Sequence, residues 1–166
     1  MKLLNKKNYL LIISLVLCQF AGIIGAYFTY PSLTNWYSNL EKPSFTPPNA
    51  VFGPVWIVLY LLMGVSLYLV WRVLYSKTKK IDRKSLLFAL EIFAIQIIFN
   101  IWWPVIFFGL KAPFTALFEI TILLVLIVFT IVSFYKINKI AAYLLLPYLL
   151  WTFYATLLNA SIVVLN

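Results

Sequence analysis

Five stretches of this chain are apolar over a length that crosses a bilayer, and that feature leaves few folds open. They cover about residues 9–28, 51–71, 86–110, 114–135 and 140–165. A spanning helix needs roughly 20 such residues. In hydrocarbon every backbone N–H and C=O must find its partner inside the segment, which a helix provides. The fold class expected is therefore an all-α membrane protein, a bundle of five transmembrane helices. The last two connections are short, so the helices they join should lie antiparallel and adjacent.

Composition agrees. The 166 residues are 64% hydrophobic and only 10% charged, with mean hydropathy +1.01. A soluble domain has about 45–50% apolar and about 25% charged residues, and one of this size cannot hide the excess in its core. The length allows a single domain over 1–166, without a separate soluble unit. No internal repeat is visible. The first apolar run follows Lys2, Lys6 and Lys7 as a signal peptide would. It is longer than the 7–15 residues of a signal h-region, so a retained helix is expected.

The charge balance, 13 Lys+Arg against 4 Asp+Glu, gives a net +9. Nucleic acid is not the expected partner, because the aromatics lie in the apolar runs rather than among the basic residues. Topology explains the charge better. With the N-terminus inside, the inner side holds Lys2, Lys6, Lys7, Arg72, Lys77, Lys79, Lys80, Arg83, Lys84, Lys136 and Lys139, and the outer side only Lys42 and Lys111. Eleven against two predicts an N-in, C-out orientation by the positive-inside rule.

The chain has no histidine and a single cysteine, Cys18. The commonest metal ligand and general base is thus missing, no intramolecular disulfide can form, and no metal site is expected. Glu91 and Glu119 lie within apolar runs; a proton relay is one reading, and snorkelling or pairing, for Glu91 toward Lys84, is the favoured one.

The third run carries Gln96, Asn100, Trp103 and Phe107 at spacings of 4, 3 and 4, which share one helical face. Amides in hydrocarbon turn toward the bundle, either to bind a ligand or to hold helices together. The second run offers Trp56, Tyr60, Met63 and Leu67 on one face, and the fifth Tyr148, Trp151, Ala155 and Leu158. Such stripes serve packing as readily as binding, but three of them converge. Small Ala155 leaves room beside the Trp151 indole, and flat aromatic ligands stack on such rings.

The connection at about 29–50 contains Pro31, Pro43, Pro47 and Pro48, which stiffen it. It is either a lid over one mouth of the bundle or a plain surface connection. Trp36, Tyr37, Trp71 and Tyr75 lie near span ends, where aromatic belts account for them. Ala21, Gly22, Gly25 and Ala26 form small-xxx-small pairs that mark a close-packing face, within the bundle or between protomers. Val73–Lys77 through Tyr75, and Val132–Lys139 through Tyr135, fit a weak sterol-motif pattern.

Three separated motifs then carry a resemblance. Residues 36–72 read WYSNLEKPSFTPPNAVFGPVWIVLYLLMGVSLYLVWR; the third run reads QIIFNIWWPVIFFGL; the fifth reads LLLPYLLWTFYATLLN. In order, these resemble the WY, L-x-K-P, TPP, F-G-P-V-W and L-Y-x-x-M-G elements, the Q-x-x-x-N-x-x-W-x-P-x-F-F-G helix and the P-Y-x-x-W-x-x-[FY]-A-x-x-L-N helix of the TspO/MBR family. That family is also known as tryptophan-rich sensory proteins, translocator proteins or peripheral-type benzodiazepine receptors. Lys, Asn and Ile usage leans toward a bacterial member in the plasma membrane.

The resemblance implies a five-helix bundle, often a homodimer, whose pocket lies under the first long loop and binds protoporphyrin IX and benzodiazepine-site drugs. Light-dependent breakdown of protoporphyrin is reported for some members. By position, the implied pocket residues are Trp56, Tyr60, Asn100, Trp103, Trp151 and Ala155, with Pro47 and Pro48 in the lid. Trp56 and Trp151 would act in any photochemistry. The stripes add Gln96, Phe107 and Tyr148 to the candidate set. Residues 160–166 read ASIVVLN and lack the tyrosine and basic residue of the animal sterol-recognition segment, which argues against cholesterol. No obligatory cofactor is expected. Without histidine a haem iron lacks its usual axial ligand, so metal-free porphyrin should bind at least as well as haem. Three roles stay open: tetrapyrrole sensor, scavenger or photo-degrader; transporter of tetrapyrroles or lipids; and ligand-regulated interaction protein.

Overall fold

The computed structural model describes residues 6–75 and 81–166. Ser76 and Lys77 of the first sterol-like pattern, and Lys2, Lys77, Lys79 and Lys80 of the charge count, lie outside these. The described chain is all helical: α1 (Lys6–Asn35), α2 (Asn49–Trp71), α3 (Arg83–Pro104), α4 (Pro113–Ile137), α5 (Lys139–Leu144) and α6 (Leu146–Leu165). Helices α5 and α6 together form the fifth of five spans that are long and apolar enough to cross a membrane. Around the bundle the spans follow the order first, second, fifth, fourth, third.

Hydropathy ends the first helix near residue 28, but α1 continues through Pro31 to Asn35. Tertiary contacts hold the extra turns. The Ser32 hydroxyl donates to the Phe108 carbonyl at 2.8 Å, and Leu33 and Trp36 pack on a cluster built from Tyr37, Phe107 and Phe108. The first connection is therefore shorter than expected, 36–48, and begins with a 3-10 turn at Tyr37–Asn39. Trp36 and Tyr37 are not a lipid-facing belt: Trp36 meets Phe107 edge-on at 5.6 Å, and Tyr37 is buried. Trp71 also packs on the core, whereas Tyr75 is exposed.

Two prolines interrupt spans. After Pro104 the third span runs into a π-turn at Val105–Gly109, with Leu110 N–H reaching back five residues to the Val105 carbonyl at 2.8 Å. Such π-bulges commonly mark functional positions. In the fifth span, Pro147 at the start of α6 cannot donate a helical hydrogen bond, and the helix breaks at Leu145. On the N-terminal side of the break, α5 stays on α2, where the Ser66 hydroxyl donates to the Ala141 carbonyl at 2.7 Å. Beyond it, α6 packs against α4 and makes little contact with α2.

Close approach of α1 and α2 depends on Gly64. A Cβ there would sit 2.9 Å from Leu15 Cα, a backbone atom that cannot yield by a side-chain rotation. The small residues of α1 serve the same bundle: a Cβ on Gly22 would meet the Tyr60 ring at 2.6 Å, and one on Gly25 would meet Pro104 at 3.2 Å. We expect Gly64→Ala to push α1 off α2 and destabilise the protein by about 1–3 kcal/mol, the range for overpacked cores. A thermal unfolding midpoint in detergent equal to that of the parent would refute this.

Candidate functional site

Because α6 leans away from α2, a cavity of about 540 Å³ opens between α1, α2, α3 and α6. It occupies the end of the bundle that carries the 36–48 connection. Its walls are chiefly aromatic and aliphatic, with Trp56, Tyr60, Trp103, Phe107 and Trp151 among them. Trp56 stacks on Tyr60 with ring centroids 5.4 Å apart. Trp103 stacks on Phe107 at 5.1 Å, and Trp151 meets Phe52 edge-on at 5.8 Å. The volume falls within the roughly 300–1,000 Å³ of small-molecule pockets, as does the pattern of apolar walls with few polar groups.

The few polar groups are ordered by a buried chain of side chains. The Tyr60 hydroxyl donates to Asn100 Oδ1. Asn100 Nδ2 donates to the Tyr148 hydroxyl at 2.9 Å, and that hydroxyl donates to Gln96 Oε1 at 3.0 Å. One chain of bonds thus spans α2, α3 and α6. Asn159 forms a second node, accepting from Trp103 Nε1 at 3.2 Å and donating to the Pro113 carbonyl at 2.8 Å. The Trp151 indole N–H is buried without a partner among the described residues, and Trp151 borders the cavity.

Seven of the expected residues line this space: Trp56, Tyr60, Asn100, Trp103, Phe107, Trp151 and Ala155. Gln96 and Tyr148 do not. Both are fully buried beneath it; they connect to it through Asn100, and Tyr148 also meets the Trp56 ring edge-on at 6.3 Å. Pro47 and Pro48 do not border it either; Pro48 caps the start of α2, and the neighbouring Asn49 and Ala50 line the cavity instead. One whole wall was not foreseen. Helix α1 contributes Gln19, Gly22, Gly25, Ala26 and Leu33, and its small residues were readable only as a packing face. Asn159 was also missed, although its place on the α6 face, four residues after Ala155, was a usable signal.

The connection over the cavity is tied down at two points. The Tyr154 hydroxyl donates to the Phe45 carbonyl at 2.6 Å, and the Asn166 side chain pairs with both the N–H and the carbonyl of Glu41, at 3.0 and 3.1 Å. Lys42 Nζ sits 4.9 Å from the centre of the Tyr37 ring.

The acids behave differently from each other. Glu91 is exposed, in keeping with snorkelling. Glu119 is not: it is 8% exposed, and neither carboxylate oxygen has a partner among the described residues. Snorkelling and pairing are thereby overturned for Glu119, because its place on the same face of α4 as Ala116, Ile120 and Leu123 turns it inward. No group of three or more metal-ligating side chains comes together among the described residues. In the second sterol-like pattern, Lys139 lies over the Tyr135 ring of the same chain at 5.5 Å.

Five spans, four of them around an aromatic, ligand-sized cavity, define a polytopic membrane protein with a cavity inside its bundle. Residues 14–165 match the TspO/MBR family, and the chain belongs to that family. It is 39% identical over 160 residues to the tryptophan-rich protein TspO of Archaeoglobus fulgidus, covering 96% of this chain and 99% of that one. It is 38% identical over 136 residues to the human translocator protein, covering 82% and 78%. With the tryptophan-rich sensory protein of Cereibacter sphaeroides it shares 34% over 131 residues, covering 79% and 77%.

The buried chain generates a stability prediction. Tyr148→Phe removes the hydroxyl that both Asn100 and Gln96 use and strands two amides, a loss of about 1–3 kcal/mol per unsatisfied group. Tyr154→Phe removes a bond at the solvent rim and should lower the unfolding midpoint far less. Equal losses in the two variants would show that the buried chain carries no special share of the stability.

Proposed function

We propose that this protein is a membrane receptor or sensor whose cavity takes flat, hydrophobic, aromatic ligands, with metal-free porphyrins such as protoporphyrin IX as the leading class and benzodiazepine-site drugs as another. The observation that carries this reading is the cavity itself, walled by Trp56, Trp103 and Trp151 and floored by the amide of Asn100. The names of relatives, tryptophan-rich sensory protein and translocator protein, support a sensory or receptor role.

In this reading Trp56 and Trp151 offer the ring faces for stacking. The unpartnered Trp151 N–H supplies a donor to a ligand carboxylate or carbonyl, and Asn100 supplies a polar contact already oriented by Tyr60 and Tyr148. Without a histidine a haem iron lacks its usual axial ligand here, so metal-free porphyrin should bind at least as well as haem. Any light-driven breakdown of porphyrin would use these oxidisable indoles, not acid–base groups. The protein sits in the plasma membrane with its N-terminus inside, and acts as a homodimer.

Titration of protoporphyrin IX into the detergent-solubilised protein, read by tryptophan fluorescence, tests the reading. We expect saturable quenching that Trp56→Phe and Trp151→Phe each weaken by about tenfold, the equivalent of 1.4 kcal/mol. Loss of porphyrin absorbance under light, abolished in both variants, would add photo-degradation. Linear quenching unchanged by either substitution would assign the aromatic stripes to packing and remove the proposal.

A further inference from the structure

A second depression lies at the opposite end of the bundle, where α3 begins and α4 ends. It encloses about 430 Å³ and is lined by Ile81, Asp82, Lys84, Ser85 and Phe88 from one side and Ser133, Lys136 and Ile137 from the other. The lining mixes polar and apolar groups: two ammonium groups and two hydroxyls accompany the exposed ring of Phe88 and the side chain of Ile81. Neither Lys84 nor Lys136 has a hydrogen-bond or ion-pair partner among the described residues. The one acid, Asp82, is already engaged as the cap of α3, its Oδ2 accepting from the Ser85 N–H at 3.1 Å and the Ser85 hydroxyl at 3.2 Å. Two lysines and one capping carboxylate therefore line the groove, which keeps a net positive charge.

We infer that this groove binds the headgroup of an anionic phospholipid, its phosphate held between Lys84 and Lys136 and an acyl chain lying along Phe88. Position supports the assignment. The groove sits at the termini of two spans, the depth of the headgroup layer. It also lies on the face of the bundle where the basic residues gather, and basic pockets between spans select such lipids. A soluble phosphate ion would satisfy the lysines but make no use of the apolar side of the groove at Phe88 and Ile81, so the lipid is the better complement.

Native mass spectrometry of the full chain in detergent tests this, with phosphatidylglycerol and phosphatidylcholine titrated in parallel and inorganic phosphate as competitor. The parent should retain phosphatidylglycerol in preference to phosphatidylcholine. The double variant Lys84→Gln with Lys136→Gln should bind phosphatidylglycerol about thirtyfold more weakly, from roughly a fivefold loss per surface lysine. Lys84→Arg with Lys136→Arg keeps the charge and should keep the lipid, and Lys111→Gln on the far face should have no effect. The inference fails if the glutamine variant holds the lipid as the parent does, if Lys111→Gln weakens it equally, or if phosphatidylcholine binds as tightly. Displacement by inorganic phosphate at matching concentration would make this a free-anion site and would also overturn it.

Discussion

The structure depends on polar side chains that bond to one another where no water is available to them. Tyr60, Asn100, Tyr148 and Gln96 form one bonded chain through three helices. In hydrocarbon the flanking apolar side chains give those helices little reason to prefer each other over lipid. The chain of amides and hydroxyls supplies that preference, and it fixes rotation as well as proximity. Each of the three helices must turn one particular face inward for its member to be bonded. The aromatic residues one turn away on the same faces, Trp56, Trp103 and Trp151, are thereby carried to the cavity wall.

The cavity exists because two helices are imperfect. Pro147 separates α5 from α6; both halves pack on α4, but only α5 also packs closely on α2. Pro104 introduces a π-turn that brings Phe107 and Phe108 under Trp36 and Tyr37. A continuous fifth helix packed along α2 would close the space that the bend leaves open. Backbone defects that would weaken a soluble bundle here serve to shape it.

The sequence was most informative where one physical rule acts alone. Span number and the inward turn of Gln96 and Asn100 follow from the intolerance of lipid for polar groups, and all five spans appear in the structure. Legibility fell where tertiary contact overrides local preference. Nothing local keeps α1 helical through Pro31; the Ser32 bond to Phe108, 76 residues away, does. Equally, small residues on α1 state that something comes close but not what, and Tyr60 and Pro104 are identified only by the fold. The burial of Glu119 was misjudged for a related reason: apolar neighbours all round in a membrane span hide which side faces lipid.

Gly22 and Gly25 give the α1 wall of the cavity two positions of bare main chain. Where a wall is made of side chains, a rotamer change can reshape it. Against α1 the boundary at these two positions is main chain, set directly against Tyr60 and Pro104, and no rotamer can retract it. A guest too wide for that spacing must displace a 30-residue helix as a body, on the microsecond-to-millisecond scale of collective helix motion. Discrimination by width at this wall is therefore a matter of exchange rate, whereas the indole-bearing walls discriminate by fit.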